Sequence, residues 1–458
     1  MTNDTVITGG TIFSPSGSFV GDIGITEEKI TAIQEGGGLE GINSIDATGK
    51  YVFPGFIDPH VHIHLPFMGT NAIDDHESAT KAALVGGTTT VIEMICPGPD
   101  DEPADAFAEW KGLAESGCCC DYTFHLAVVR FDALAKEQLR YLVENEGVQS
   151  FKIFLAYKGA LEISDENLLE LMQLSKELGV IITAHCENAE QIDAMQTQLL
   201  EEGKTGTQWH EPSRPRSVEA GGVQHLCEFA NDTGASVYIV HTSCGDAVNR
   251  AMEARDNGVD VTVEAVVPHL VLDKTYAERP DFEGAKFVMS PPLRDMEEHE
   301  SLWSGLANGS ISTIGTDHAP FNFHGQKEMG KDAFTLIPNG IPSIQERIDL
   351  VHTFGVCKGK IDLETMVNAC STQVAKTFNM FPKKGALAVG SDADIVVYDP
   401  EFVGTFIHDD GLSKVDYSGF EGMERKGRAD VVLLRGEIVA EQGTFVGKVG
   451  FGNYISRR

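Results

Sequence analysis

Positive charge is scarce in this chain of 458 residues: 35 Lys+Arg stand against 69 Asp+Glu, a formal charge of -34. That deficit argues against nucleic acid or an anionic membrane surface as partner, since both ask for a basic face. Long apolar runs are missing too. No stretch of about 18 apolar residues occurs, and Met1-Thr2-Asn3-Asp4-Thr5 lacks the basic region and following apolar stretch of an export signal. Neither export nor membrane insertion is therefore signalled. A regular cysteine framework is also absent. The nine cysteines include the run Cys118-Cys119-Cys120 and show no spacing of a secreted disulfide scaffold, so a reducing cytoplasm is expected. The acidity suits a soluble enzyme, or a saline habitat in which ions screen self-repulsion.

Hydrophobic residues make up 42% of the chain, enough for a large core. The length exceeds one typical domain, yet a single (β/α) barrel with an appendage also reaches it. Residues 1–50 read as short strands broken by glycine turns, such as Thr5-Val6-Ile7-Thr8 before Gly9-Gly10. The same texture returns at Ala393-Asp394-Ile395-Val396-Val397-Tyr398 and Ala429-Asp430-Val431-Val432-Leu433-Leu434. Between these ends, apolar β-rich runs alternate with helical stretches, the pattern of parallel strands joined by crossover helices. Eight barrel strands are expected, near 52–57, 88–94, 122–128, 151–156, 180–185, 237–241, 261–266 and 311–316. One helix shows the local logic: Ser164 offers an N-cap, Leu171, Leu174 and Leu178 recur along one stripe, and Gly179 closes the end. The fold class expected is α/β: a (β/α)8 TIM barrel with a smaller β-sandwich domain built from both chain ends. The barrel spans 51–380, and 1–50 with 381–458 form the small domain.

Several of these strands stop at a potential metal ligand. Phe53-Pro54-Gly55-Phe56-Ile57 leads into Asp58-Pro59-His60-Val61-His62, where a period of two puts both imidazoles on one face. Later runs end at His185, His241 and Asp317. In a barrel, all of these gather at the C-terminal strand ends. Cys186 follows His185 and so points to the opposite face, as a packed thiol. Lys152 lies amid apolar neighbours in Ser150-Phe151-Lys152-Ile153-Phe154, where burial favours the neutral amine. Such an amine either snorkels to water or adds carbon dioxide to become an anionic carbamate ligand.

Taken with Leu65-Pro66-Phe67-Met68-Gly69-Thr70, Ala156-Tyr157-Lys158, Ala184-His185-Cys186-Glu187-Asn188, Ser213-Arg214-Pro215, Met289-Ser290-Pro291-Pro292-Leu293-Arg294, Gly315-Thr316-Asp317-His318 and Ile337-Pro338-Asn339-Gly340, these segments resemble the dihydropyrimidinase and D-hydantoinase family of cyclic amidohydrolases, nearly end to end. The resemblance implies two divalent metals bridged by N6-carboxylysine at Lys152. His60, His62 and Asp317 would hold one, and His185 with His241 the other. Nitrogen and carboxylate donors suit zinc first, with manganese, cobalt or iron as alternatives. It further implies Asp317 as the proton carrier and Tyr157 as donor to the developing oxyanion. Backbone groups at Ser290 and Asn339 would grip the substrate's ureide. Leu65, Phe67, Phe154 and Leu161 would shape the exocyclic pocket. The expected activity is hydrolysis of a dihydropyrimidine or 5-substituted hydantoin to an N-carbamoyl amino acid, by a homo-oligomer, commonly a tetramer.

Dihydroorotase and allantoinase share the metal pattern. Dihydroorotate carries a carboxylate that asks for a cation, commonly an Arg two residues past the second histidine, where this chain has His64. An uncharged ring is expected instead. A non-catalytic relative that works by assembly would have lost ligands, and none is missing here. His64 is expected in a loop or supporting a ligand, and His318 is expected to face away from the metals.

Overall fold

The computed structural model describes residues 3–458. Eight parallel strands form one sheet: β1 (Phe56–Val61), β2 (Thr88–Ile95), β3 (Asp121–Ala127), β4 (Ser150–Phe154), β5 (Ile181–His185), β6 (Val237–Ile239), β7 (Val261–Val266) and β8 (Thr313–Gly315). Each pairs with its successor in chain order. All their residues except Ile181 and Thr262 are buried. Helices cover such a sheet outside and side chains fill it inside, which is why these strands read as continuous apolar runs. The ring closes just past β8. Asp317 N–H donates to the His60 carbonyl (2.9 Å), and His62 N–H donates to the His318 carbonyl (2.8 Å).

The first strand differs from expectation. Residues 52–57 do not form one barrel strand: Tyr51–Pro54 pairs with Ile395–Thr405 and Asn3–Ser14 in a second sheet, and β1 begins only at Phe56. Gly55 is the switch. A Cβ there would lie 2.1 Å from Thr89 Oγ1, and its N–H is taken by the Asp394 carbonyl at 2.8 Å, so the chain crosses between sheets where no side chain fits. This second sheet has nine strands and is mostly antiparallel, and it joins both ends of the chain around Tyr51–Pro54. Its own apolar core includes Ile7, Ile12, Ile23, Val52, Ile395 and Leu433.

The expected helix runs Asp165–Leu178 with the expected caps. Ser164 accepts from Asn167 N–H, an arrangement worth about 1 kcal/mol, and Gly179 turns left-handed at φ 68. Leu171 and Leu174 are buried while Leu178 packs at the margin of the core. Among the described residues, no helix is long and apolar enough to cross a membrane.

Candidate active site

The strand ends deliver their polar residues to one cleft. His62, Lys152, His185, His241 and Asp317 line it, together with Leu65, Phe67, Phe154, Tyr157, Leu161, Ser290 and Asn339. His60 lies directly behind. Its Nε2 is 3.1 Å from Asp317 Oδ1, and His62 Nε2 is also 3.1 Å from that oxygen. The His60 and His241 rings stack at 5.3 Å, and His185 meets His241 edge-on at 4.6 Å. Residues from five strand ends thus share one space. Asp317 (φ 52), His241 (φ 39) and Tyr157 (φ 63) all adopt left-handed backbone, a cost that non-glycine residues bear where surrounding structure fixes them.

Several nitrogens of this cluster make no hydrogen bond. Among the described residues, His62 Nδ1, His241 Nδ1 and Lys152 Nζ are buried with no hydrogen-bond partner, and His60 Nε2, though 3.1 Å from Asp317 Oδ1, is not aligned to bond it. Leaving buried polar atoms unpaired costs about 1–3 kcal/mol each. Burial lowers His62 to about 4 and also lowers His185 and His241, holding imidazole in the neutral form that coordinates metal. His60 behaves oppositely. Burial pushes it down, but Glu264 and Asp317 outweigh that and bring it to about 9, so two carboxylates here call for a positive charge between them. Burial would raise Asp317, yet His60 and the contact with His62 hold it well below the usual carboxylate range. Burial brings Lys152 down to about 8, within reach of the neutral amine. The donor set and its unpaired atoms fit a pair of divalent cations.

Carboxylates that the motif reading left without roles orient the imidazoles. Glu264 on β7 accepts from His60 Nδ1 (2.9 Å), from the His241 N–H (2.8 Å) and from Tyr238 O–H (3.0 Å). Glu187 accepts from His185 Nε2 (2.7 Å) and pairs with the buried Arg214, which holds it down to about 2 against burial. Carboxylates behind metal-binding histidines fix the tautomer and ring angle. Glu264 lies inside a segment, 264–269, that the motifs did not cover. Its signal was a lone acid in an otherwise apolar barrel strand. Cys96 also lines the cleft, but burial pushes its thiol up to about 12 and it stays protonated.

Other expected residues fall where they can hold a ring. Tyr157 is gripped edge-on by Phe67 (5.3 Å) and stands beside the His185 ring (5.3 Å), with Arg214 over its face (5.6 Å). Asn339 Nδ2 donates to Ser290 Oγ at 2.9 Å, tying their two loops together. Neither flanking histidine enters the cluster. His64 packs its ring against His76 (5.1 Å), and His318 is consumed by Asp74 (3.0 Å) and the Ser343 N–H (3.1 Å). Cys186 is buried, with its thiol on the Ala184 carbonyl.

A closed parallel (β/α)8 ring with histidines and an aspartate at its C-terminal strand ends defines a barrel hydrolase of the metal-binding type. Comparison with known proteins narrows this. The amidohydrolase family model matches residues 51–439. A D-hydantoinase from Geobacillus stearothermophilus is 41% identical over 99% of this chain and 96% of its own length. Among solved structures, a D-hydantoinase (dihydropyrimidinase) from Thermus sp. superimposes with a TM-score of 0.95 at 50% identity, covering 98% of both chains. A dihydropyrimidinase from Brevibacillus agri gives 0.97 at 43% identity over 99% of this chain and 98% of that one. The chain belongs to the amidohydrolase family, in its hydantoinase and dihydropyrimidinase branch.

Proposed function

We propose that this protein hydrolyses the ring amide of a dihydropyrimidine or a 5-substituted hydantoin to the N-carbamoyl amino acid. The observation that carries the reading is Asp317 Oδ1, 3.1 Å from both His60 and His62 in the cleft that Tyr157, Ser290 and Asn339 also line. His60, His62 and Asp317 would hold one divalent ion, His185 and His241 a second, and carboxylated Lys152 both, with zinc the first choice. Such ions supply Lewis acidity, which activates water and polarises a carbonyl at neutral pH.

The chain's own groups do the rest. Asp317, kept as a carboxylate, takes the proton of the attacking water and hands it to the departing ring nitrogen. Burial raises the Tyr157 phenol, so it keeps its proton and donates a hydrogen bond to the carbonyl oxygen as charge grows there. Backbone groups of Ser290 and Asn339 take the ureide edge. Leu65, Phe67 and Phe154 give the exocyclic substituent an apolar wall. No free cation waits for a substrate carboxylate at position 64, since His64 is packed on His76, which favours an uncharged ring over dihydroorotate. A cytoplasmic homotetramer completes the reading.

The test is turnover of dihydrouracil, D- and L-5-substituted hydantoins, allantoin and dihydroorotate by metal-loaded protein, before and after chelation. Turnover of dihydrouracil or a hydantoin, lost with the metal and restored on reloading, is expected. Inactivity on dihydrouracil and on both the D- and L-hydantoins, or undiminished activity after chelation, would overturn the assignment.

A further inference from the structure

Lys327 is a buried cation that the proposed chemistry does not use. It has no exposed surface, and among the described residues no carboxylate pairs with it. Its Nζ instead donates to three backbone carbonyls, Val288 (3.1 Å), Pro338 (3.0 Å) and Gly340 (2.7 Å). Burial alone drives the amine down to about 7. A neutral amine, however, has two N–H bonds and a lone pair, and the lone pair would face the third carbonyl. Three acceptors around one nitrogen fit the ammonium.

Those carbonyls belong to two segments that carry Ser290 and Asn339. Neighbouring carbonyls are engaged as well: Met289 accepts from His210 Nε2 (2.7 Å), Pro291 from His269 Nε2 (2.9 Å), and Val288 also from the Gly340 N–H (2.9 Å). Among the described residues, the Ser290 carbonyl and the Asn339 N–H have no hydrogen-bond partner within the chain. The carbonyls of Val288, Met289, Pro291, Pro338 and Gly340 are tied down, and the Ser290 carbonyl and the Asn339 N–H remain open to a ligand. The Pro338 carbonyl and the Asn339 N–H are the two ends of one peptide group. A cation on the oxygen draws electron density from the nitrogen and strengthens the N–H as a donor.

We infer that Lys327 is a positioning residue for substrate recognition, whose ammonium pins the Ser290 and Asn339 segments together and sharpens the Asn339 N–H toward the ring. The inference rests on the reading that these two groups hold the substrate's ureide. Its effect is carried by backbone that touches the ring, without contact from Lys327 itself.

Lys327→Met and Lys327→Gln test it in the full-length, metal-loaded protein. Lys327→Met is expected to raise KM for dihydrouracil or a hydantoin about tenfold or more. Its kcat should change less, and its metal stoichiometry should match the wild type. Lys327→Gln, which keeps two donors without the charge, should raise KM less. Hydrogen exchange should quicken across 288–293 and 337–341 in both, and not elsewhere. Wild-type KM in Lys327→Met overturns the inference while leaving the assigned activity intact. So does metal lost in step with activity, or failure of both variants to regain the native circular dichroism spectrum, since Lys327 would then be a general folding element. A wild-type protein inactive on every ring overturns the reading of the site, and this inference with it.

Discussion

Among the described residues, two clusters gather acidic or imidazole groups closely enough to hold a metal ion: His60, His62 and Asp317 in the cleft, and Asp121, Asp392 and Asp394 at the junction of the two sheets. All six residues are buried, so burial does not separate them. Their neighbours do. In the junction cluster Lys384 Nζ lies 2.5 Å from Asp121, 2.5 Å from Asp394 and 3.0 Å from Asp392, and Arg435 pairs with Asp121 as well. The protein brings its own cations there. In the cleft, four nitrogens make no hydrogen bond and Lys152 has no acid bonded to it. What marks a cation site is unmet demand, more than the number of acids in reach.

Breaking the cleft side gives the largest expected effect. Asp317→Asn removes the proposed proton carrier and one of the proposed ligands together, and kcat should fall by about 10²–10⁴-fold with metal content reduced, measured by steady-state kinetics and elemental analysis. The same substitution should leave the denaturation midpoint of metal-free protein within about 1 kcal/mol of wild type if the cleft is a poorly satisfied site. Lys384→Met is the reciprocal experiment. It removes the cation shared by three buried carboxylates, leaving Asp394 without a cation bonded to it, and should cost about 3–5 kcal/mol of stability in chemical denaturation, while metal stoichiometry at temperatures where it is folded stays unchanged. Loss of metal in Lys384→Met would merge the two clusters into one functional unit.

Smaller changes sharpen the contrast. Glu264→Gln keeps the shape behind His60 but removes its negative charge, and metal affinity should drop about 10–100-fold in a competition titration. Acid titration of the junction should give the smallest effect. Burial raises Asp392, but Lys384 and Lys29 hold its carboxyl below the usual range. Its stabilising contribution is therefore present above about pH 3.9 and is lost as the pH falls through the depressed folded value. Asp394, raised by burial against the pull of Lys384, contributes with the opposite sign. Asp392→Asn should therefore flatten the acid limb of the stability profile below about pH 4; an unchanged limb would place that loss elsewhere.

Much of this arrangement was legible in the residues because barrel strands announce themselves. β4, β5 and β7 are short runs of five or six mostly apolar, β-rich residues, and β5 ends on His185, the residue expected there as a ligand. Ser164 and Gly179 bracket their helix by chemistry that acts within a few residues. Groups that work across long sequence separations left weaker marks. Glu264 meets His60 over 204 positions, Lys384 meets Asp121 over 263, and Arg347 reaches the carbonyls of Ile57 and Ile314 from 290 and 33 positions away. A charged residue in such a place reads as surface until its partner is known. The first barrel strand was misjoined for a related reason: Pro54-Gly55 reads as punctuation within one strand, and only the contact with Thr89 shows that the chain changes sheets there.

The seam that closes the barrel has a consequence for how its contents are kept. The rungs joining the last strand to the first run through His60, His62 and Asp317, whose side chains also converge in the cleft. Any breathing motion that parts these strands pulls the same three side chains asunder, so the lifetime of a captured ion is set by how often the ring unzips. A loaded barrel should in turn resist unzipping. Slower amide exchange at His62 and Asp317 on ion uptake would be the signature of that mutual grip.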